Sequence, residues 1–453
     1  MAERFYHSKE EVLSRGRQVI GIPFKGLDET GRLATGKGAI GNVIEESWFG
    51  LKVNNESRPD FEEAGVELKV TPYVRNRKGI VAKERLVCNI IDYMKEYDKN
   101  FKTSSFWIKC NTMLLMSYEH IEDSPKGEYK IDEVILFSFP EEDLAIIEQD
   151  WEKIIGKVRA GKAHEITEGD TMYLAACTKG TSAESVREQP FSAIPAKQRA
   201  YSLKQAYMTV LLNKYIFGEE QNERIIKDPE KLREQGFEEY LISKIRPFLG
   251  KSQSELVRMF SLKSKAKNLN ELILAKILGV KGRISETDEF RKANIVPKTI
   301  RIERDGRIKE SMSFPMFDFI SLTREDWETS ILKDYLESTK FLFTIFRNDR
   351  CGKLIFDNIL FWNMPEKDLD QVKAVWQRTK DIVIKGVTLK QKNGRMSNDL
   401  PKKSENSVAH VRPHARNASD KIFLPNGEEM TKQCFWLNNT YIRSQIEAST
   451  TKK

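Results

Sequence analysis

The chain has 453 residues, 40% of them hydrophobic, which excludes a disordered polymer and predicts two or three domains with real cores. Its 75 basic residues outweigh 67 acidic ones for a net charge of +8, a balance that hints at a polyanionic partner. The opening "MAERFYHSKEEVL" lacks the apolar core of a secretory signal, and no apolar run approaches the ~18 residues of a spanning helix, so a cytoplasmic protein with no membrane partner is expected.

In chain order, "SKEEVLSRGRQVIG" places Ser8 three residues before Glu11, the pattern of a capping box, and then runs at helical period. "GAIGNVIEESWFG" reads as a second helix ending at Gly50. Strands are predicted in "GVELKVTPY", "RLVCNIIDY", "SSFWIKCNTMLLMSYE" and "EVILFSF", followed by helices in "EEDLAIIEQDWEKIIGKV" and "SLKQAYMTVLLNKYIFG". The charged stretch beyond Gly218 reads as a linker, which divides the chain into residues 1–220, a linker at 221–234, and residues 235–453. Residues 390–421, basic and rich in turn-formers, read as a mobile loop.

Cys88, Cys110, Cys177, Cys351 and Cys434 show no CxxC spacing and are expected to be reduced thiols. The five histidines are scattered. His410 and His414 stand at i, i+4, but Pro413 between them argues against the helix that would bring both to one metal.

The chain then repeats itself. "GKGAIGNVIEESWFG" at 36–50 lines up with "KAKNLNELILAKILG" at 265–279, and "DFEEAGVELKVTP" at 60–72 with "EFRKANIVPKTIR" at 289–301. "PEEDLAIIEQDW" is matched by "PEKDLDQVKAVW", and "SLKQAYMTVLLNKYI" more faintly by "MTKQCFWLNNTYI". The same order at nearly constant spacing predicts a tandem duplication into two domains of one fold, packed as a pseudo-dimer.

The copies differ most in their acids. Asp60 corresponds to Glu289, Glu67 to Val296 and Lys69 to Lys298, while Glu45 and Glu46 correspond to Leu274 and Ala275. The second copy keeps the apolar frame and loses most carboxylates, so the fold does not require them. Glu67 and Lys69 share a strand face because side chains alternate. Two carboxylates with a nearby ammonium suit Mg²⁺-assisted phosphodiester hydrolysis, the acids holding a hard cation and the lysine orienting water or helping to deprotonate it. Alone, the set reads equally well as an exposed ion pair. A similar set, Asp123, Glu128 and Lys130, reads as a turn entering a strand.

"GNVIEESWFG…RPDFEEAGVELKVTP…TSSFWIK…YLAACTKG…SLKQAYMTVLL" resembles the MutH family of DNA endonucleases, in particular its restriction enzymes that cut at GATC and carry two MutH-like halves. The resemblance spans nearly the whole chain. It implies a mixed-sheet α/β restriction-endonuclease-like (PD-(D/E)xK) fold, with Asp60 and Glu67 as metal ligands, Lys69 as the catalytic lysine, and Mg²⁺ as cofactor. It also implies one acid in the preceding helix, in a segment one residue shorter than here, so Glu45 and Glu46 both remain candidates. A second lysine is expected near "TSSFWIK", where Lys109 is the nearest match. DNA contacts are implied at Lys37, Lys109, Lys179, Arg199, Tyr201 and Lys204. The implied partners are double-stranded DNA containing GATC, two such sites at once, and a cognate DNA methyltransferase. The alternatives are a methylation-directed nicking endonuclease of mismatch repair and a non-catalytic DNA-binding regulator.

Overall fold

The computed structural model describes residues 5–451, except 35, 37, 53–56, 77–78, 181–184, 219–221, 264, 267 and 393–394. It divides into two units. The first comprises Met1–Leu241 and Gly279–Ile295, and the second Ile242–Leu278 and Val296–Lys453.

In the first unit, strand β1 (Glu67–Asn76) lies at the middle of a mixed sheet with β2 (Gly79–Ala82), β4 (Thr112–Glu119) and β5 (Glu133–Ser138), in the order β2-β1-β4-β5. β1 runs parallel to β4 and antiparallel to β2, and β4 is antiparallel to β5. The first six residues of β4 are buried, as expected of a strand flanked on both sides. A second, antiparallel sheet takes the order β3-β9-β6, from β3 (Leu86–Ile90), β6 (Leu174–Thr178) and β9 (Arg199–Leu203). A hairpin, β7 (Val186–Gln189) and β8 (Ser192–Lys197), joins β6 to β9.

One face of β1 is built for the core. Val66 and Leu68 pack with Val43 and Ile44 of the second helix and with Leu114 and Met116 of β4. The long helix Glu141–Arg159 starts after Pro140 and buries Trp151 completely. The expected capping box is present at the first helix, Lys9–Arg17, where Ser8 and Glu11 satisfy each other's backbone.

The second unit contains a three-stranded sheet in the order β10-β12-β13, from β10 (Ile295–Ile302), β12 (Lys340–Asn348) and β13 (Leu354–Trp362). An antiparallel sheet in the order β11-β19-β16 uses β11 (Met312–Met316), β16 (Ala409–Pro413) and β19 (Gln433–Leu437). Hairpins form from β14 (Lys390–Lys392) with β15 (Arg395–Ser397), and from β17 (Lys421–Phe423) with β18 (Glu429–Thr431). The helix Glu366–Lys385 follows Pro365 and buries Trp376.

Several sequence expectations are corrected here. "SSFWIKC" was expected in a strand, but Ser105–Cys110 is helical, capped by Ser104 Oγ accepting from the Trp107 N–H at 3.1 Å. Phe106, Lys109 and Cys110 are the residues it buries, Phe106 and Cys110 one turn apart. The stretch read as a loop from 390 to 421 supplies β14, β15 and β16. His410 and His414 lie at and just beyond that extended strand, and His410 Nδ1 is 2.6 Å from Asn438 Oδ1.

The segment read as a charged linker belongs to the first unit, with Ile225, Ile226 and Leu232 buried. Residues 279–295 return to that unit as well. Glu289 accepts from the N–H groups of Ile225 and Ile226 at 3.1 and 2.9 Å. Lys292 is buried between Asp143, at 2.7 and 2.9 Å, and Asp288, at 2.7 Å. The acid paired with Asp60 in the sequence repeat is therefore a backbone cap.

Candidate active site

A tight turn sets up the acids. Phe61 and Val66 exchange backbone hydrogen bonds of 2.9 and 3.2 Å, with Gly65 at φ +64° closing the turn. This lays Asp60 beside the start of β1. The Asp60 N–H donates to Glu67 Oε2 at 3.2 Å, and the Leu68 N–H donates to Asp60 Oδ2 at 3.0 Å.

Two lysines meet these acids. Lys69 Nζ donates to Glu67 Oε1 at 2.7 Å and to the Cys88 carbonyl at 3.3 Å. Lys109 Nζ donates to the Arg58 carbonyl at 2.8 Å and stands 3.3 Å from Glu67 Oε2 and 3.8 Å from Asp60 Oδ1. Lys109 thus sits in the acid cluster because the Ser105–Cys110 helix carries it there.

Glu45 and Glu46 are separated by a change of helix type. The helix Ala39–Val43 passes into a π turn, Ile44–Trp48, which takes up one extra residue per turn. Glu46 turns outward to Arg32, whose Nε and NH2 reach its two carboxylate oxygens at 2.7 and 2.5 Å. Glu45 turns inward, where it feels the charges of Asp60, Glu67, Lys109 and Lys69.

Burial, reinforced by the charges of Asp60 and Glu67, pushes the Glu45 carboxyl up to about 8. Burial likewise pushes Glu67 up to about 7, against the opposing pull of Lys69. Burial disfavours charge on Lys69, but Glu67 outweighs it, and the ammonium is held well above its ordinary range. Glu45, Asp60 and Glu67, carboxylates brought from a helix, a turn and a strand, have the donor chemistry of a hard divalent-cation site. As placed they spread around the Lys109 ammonium, and among the described residues no three His, Cys, Asp or Glu side chains close into a ligand cage.

The expected DNA contacts divide. Lys179 is half-exposed at the end of β6, its N–H bonded to the Gln198 carbonyl at 2.7 Å. Arg199, Tyr201 and Lys204 are buried. Arg199 donates to the Ala176 carbonyl at 2.7 Å, Tyr201 OH to Glu96 at 3.3 Å and Lys204 to the Thr171 carbonyl at 2.7 Å. Their polar ends tie β9 and the start of the following helix to neighbouring backbone. Lys37 lies outside the described residues. In the second unit, Lys298 is half-buried, and burial lowers its pKa with Cys434 alone opposing the shift.

Cys88, Cys110, Cys177 and Cys434 are buried free thiols, and Cys351 is an exposed one. Among the described residues, no helix is long and apolar enough to cross a membrane.

Comparison with known proteins identifies the family. Residues 49–150 match the family of the DNA mismatch repair enzyme MutH. The type II restriction enzyme Sau3AI of Staphylococcus aureus is 40% identical across 98% of this chain and 99% of that protein. The DNA mismatch repair protein MutH of Shewanella woodyi is 28% identical over 40% of this chain and 78% of its own length, and that of Vibrio cholerae 24% over 46% and 96%. These matches identify the fold as restriction-endonuclease-like, and the chain belongs to the type II restriction enzymes related to MutH, which are site-specific deoxyribonucleases.

Proposed function

We propose that this enzyme hydrolyses both strands of DNA at GATC using Mg²⁺ held by Asp60, Glu67 and Glu45. The reciprocal hydrogen bonding between Asp60 and the Glu67–Leu68 segment carries this reading, because it orients two carboxylates toward one place. When bound, the ion supplies positive charge at the scissile phosphate and the departing 3′-oxygen. Lys69, kept cationic by Glu67, orients the attacking water and offsets charge in the pentavalent transition state. A permanently charged ammonium is a poor base, so its role is to position rather than to deprotonate. Lys109 bridges Asp60 and Glu67 and balances their charge.

The two units arose by tandem duplication in this reading, and the second engages another copy of the DNA site without cutting it. The sheet orders support this: β10-β12-β13 parallels β1-β4-β5, and β11-β19-β16 parallels β3-β9-β6. Each unit also carries a long helix that follows a proline and buries a tryptophan, Trp151 or Trp376. Val296 stands where Glu67 does in the repeat, so Lys298 lacks the carboxylate that keeps Lys69 charged. A cognate methyltransferase protecting the same sequence completes the system.

Digesting a plasmid of known sequence with Mg²⁺ and mapping the ends tests the reading. Linear product with ends at GATC supports it. Nicked circles alone point instead to a mismatch-repair nicking activity, and ends elsewhere overturn the specificity.

A further inference from the structure

The end of the second helix is shaped by what grips it from outside. The Phe49 N–H donates to the Ile44 carbonyl at 3.0 Å, five residues back. In an unbroken α-helix these two side chains would point roughly 140° apart, at about 100° per residue. The π turn lets both enter the core. A single π turn has little intrinsic stability, so the rotation of residues 45–48 depends on side-chain anchors.

Two arginines supply them. Arg15 donates to the Trp48 carbonyl at 2.9 Å, lies 3.7 Å from the Trp48 ring, and accepts from Trp48 Nε1 through its own carbonyl at 3.1 Å. Arg32 grips both oxygens of Glu46, and Thr30 Oγ1 approaches the same carboxylate at 3.5 Å. Arg32 is itself fixed, because its N–H and that of Leu33 each donate to the Asp28 carboxylate at 2.9 Å. A planar fork closed on a carboxylate sets direction as well as distance.

We propose that Arg32 and Glu46 are positioning residues of the active site: their ion pair fixes the rotation of the π turn and so aims Glu45 at Asp60 and Glu67. The inference rests on the reading of Glu45 as a site carboxylate. Glu45 is adjacent to Glu46, and burial, reinforced by repulsion from Asp60 and Glu67 and only partly offset by Lys109 and Lys69, disfavours its charge. Without the outer anchor, that cost favours turning Glu45 out of its buried place among the acids.

The test uses the full-length enzyme and four variants: Arg32→Met, Glu46→Gln, the exchanged pair Arg32→Glu with Glu46→Arg, and Glu45→Gln as reference. Cleavage of a GATC plasmid is measured against Mg²⁺ concentration. Tb³⁺ binding is titrated without DNA, DNA affinity is measured in Ca²⁺, and the melting temperature is recorded. Arg32→Met and Glu46→Gln are each expected to lower kcat by about 10- to 100-fold, as losses of residues that orient metal ligands do. Both should also raise the half-saturating Mg²⁺ and weaken Tb³⁺ binding while leaving DNA affinity in Ca²⁺ unchanged. The exchanged pair should recover most of the loss. Wild-type metal dependence in both single variants, alongside an inactive Glu45→Gln, would overturn the inference and leave the site intact. So would a loss of activity explained wholly by a lower melting temperature. Full activity in Glu45→Gln would overturn the site reading and this inference together.

Discussion

Asp60 and Glu67 hold each other across a turn: the N–H of Asp60 donates to Glu67 Oε2, while the Asp60 carboxylate accepts from the N–H of Leu68. Neither carboxylate can swing without breaking a bond that places the other. Both are therefore aimed before substrate arrives, which is what a preorganised site needs.

Asp60→Ala and Glu67→Ala are expected to abolish cleavage while leaving DNA binding in Ca²⁺ largely intact. Loss of a metal-holding carboxylate removes several kcal/mol of transition-state stabilisation, and each ~1.4 kcal/mol is about tenfold in rate. Cleavage within about tenfold of wild type in either variant would remove that residue from the site. Glu67→Ala should also leave Lys69 without its closest anion, so Glu67→Gln is the cleaner comparison.

The proton affinities of the acids predict how stability varies with pH. The ordinary carboxyl value of 4.5 is raised to about 8 at Glu45 and about 7 at Glu67. Between those limits the folded protein binds more protons than the unfolded chain, so the stability due to these groups is fully present below about pH 4.5 and is lost as pH rises through 7 and 8. In EDTA the melting temperature should therefore fall between pH 5 and pH 8 more steeply for wild type than for Glu45→Gln. Mg²⁺ should restore stability most at the alkaline end, where the carboxylates are already deprotonated. Equal slopes for wild type and Glu45→Gln would show that Glu45 is not buried among its neighbours' charges.

How much of this was legible in the sequence follows from the kind of order each residue obeys. Glu67 and Lys69 were placed on one face by strand alternation, which needs no tertiary knowledge. The choice between Glu45 and Glu46 was not available from an α-helical period, because the π turn changes the angle between successive residues. Lys109 was reached only through the family resemblance, because "FWIKC" has the aromatic and β-branched content of a strand, and only the Ser104 cap and tertiary packing make it helical. Arg199, Tyr201 and Lys204 pose the opposite case. Residue type marks them as DNA readers, while their partners, Ala176, Glu96 and Thr171, are distant in sequence and invisible to local reading.

The return of residues 279–295 to the first unit has a measurable consequence. Lys292 is buried with Asp143 and Asp288, and Tyr207 OH donates to Asp143 at 3.1 Å. Removing the cation from a buried pair leaves its acids uncompensated, at a cost of about 3–5 kcal/mol. Lys292→Met should thus lower the melting temperature sharply. Adding Asp143→Asn to Lys292→Met should regain part of the loss, because the orphaned charge is gone. A Lys292→Met protein as stable as wild type would show that this cluster is not an essential part of the first unit. A fragment ending at residue 220 lacks Lys292 and should be less stable than its share of the core implies.

The second unit offers the last prediction, which concerns two DNA sites. If it binds GATC without cutting, a second site on the same plasmid is held at high local concentration, and a two-site plasmid should be cut faster than a one-site plasmid. Coupling between binding sites is typically about 1–3 kcal/mol, or roughly five- to 150-fold in affinity. A short GATC duplex added in trans should accelerate cutting of the one-site plasmid, and a duplex of scrambled sequence should not. Salt must be matched across these reactions, because phosphate contacts make every affinity salt-dependent. The full-length chain is the right material, since a fragment beginning near residue 235 would carry Glu289 and Lys292 without the partners that bury them. Equal rates on one-site and two-site plasmids, with no response to the added duplex, would reduce the second unit to a structural companion of the first. Acceleration by GATC duplex alone would establish it as a sequence-specific effector module whose catalytic face, with Val296 in place of Glu67, has been given up.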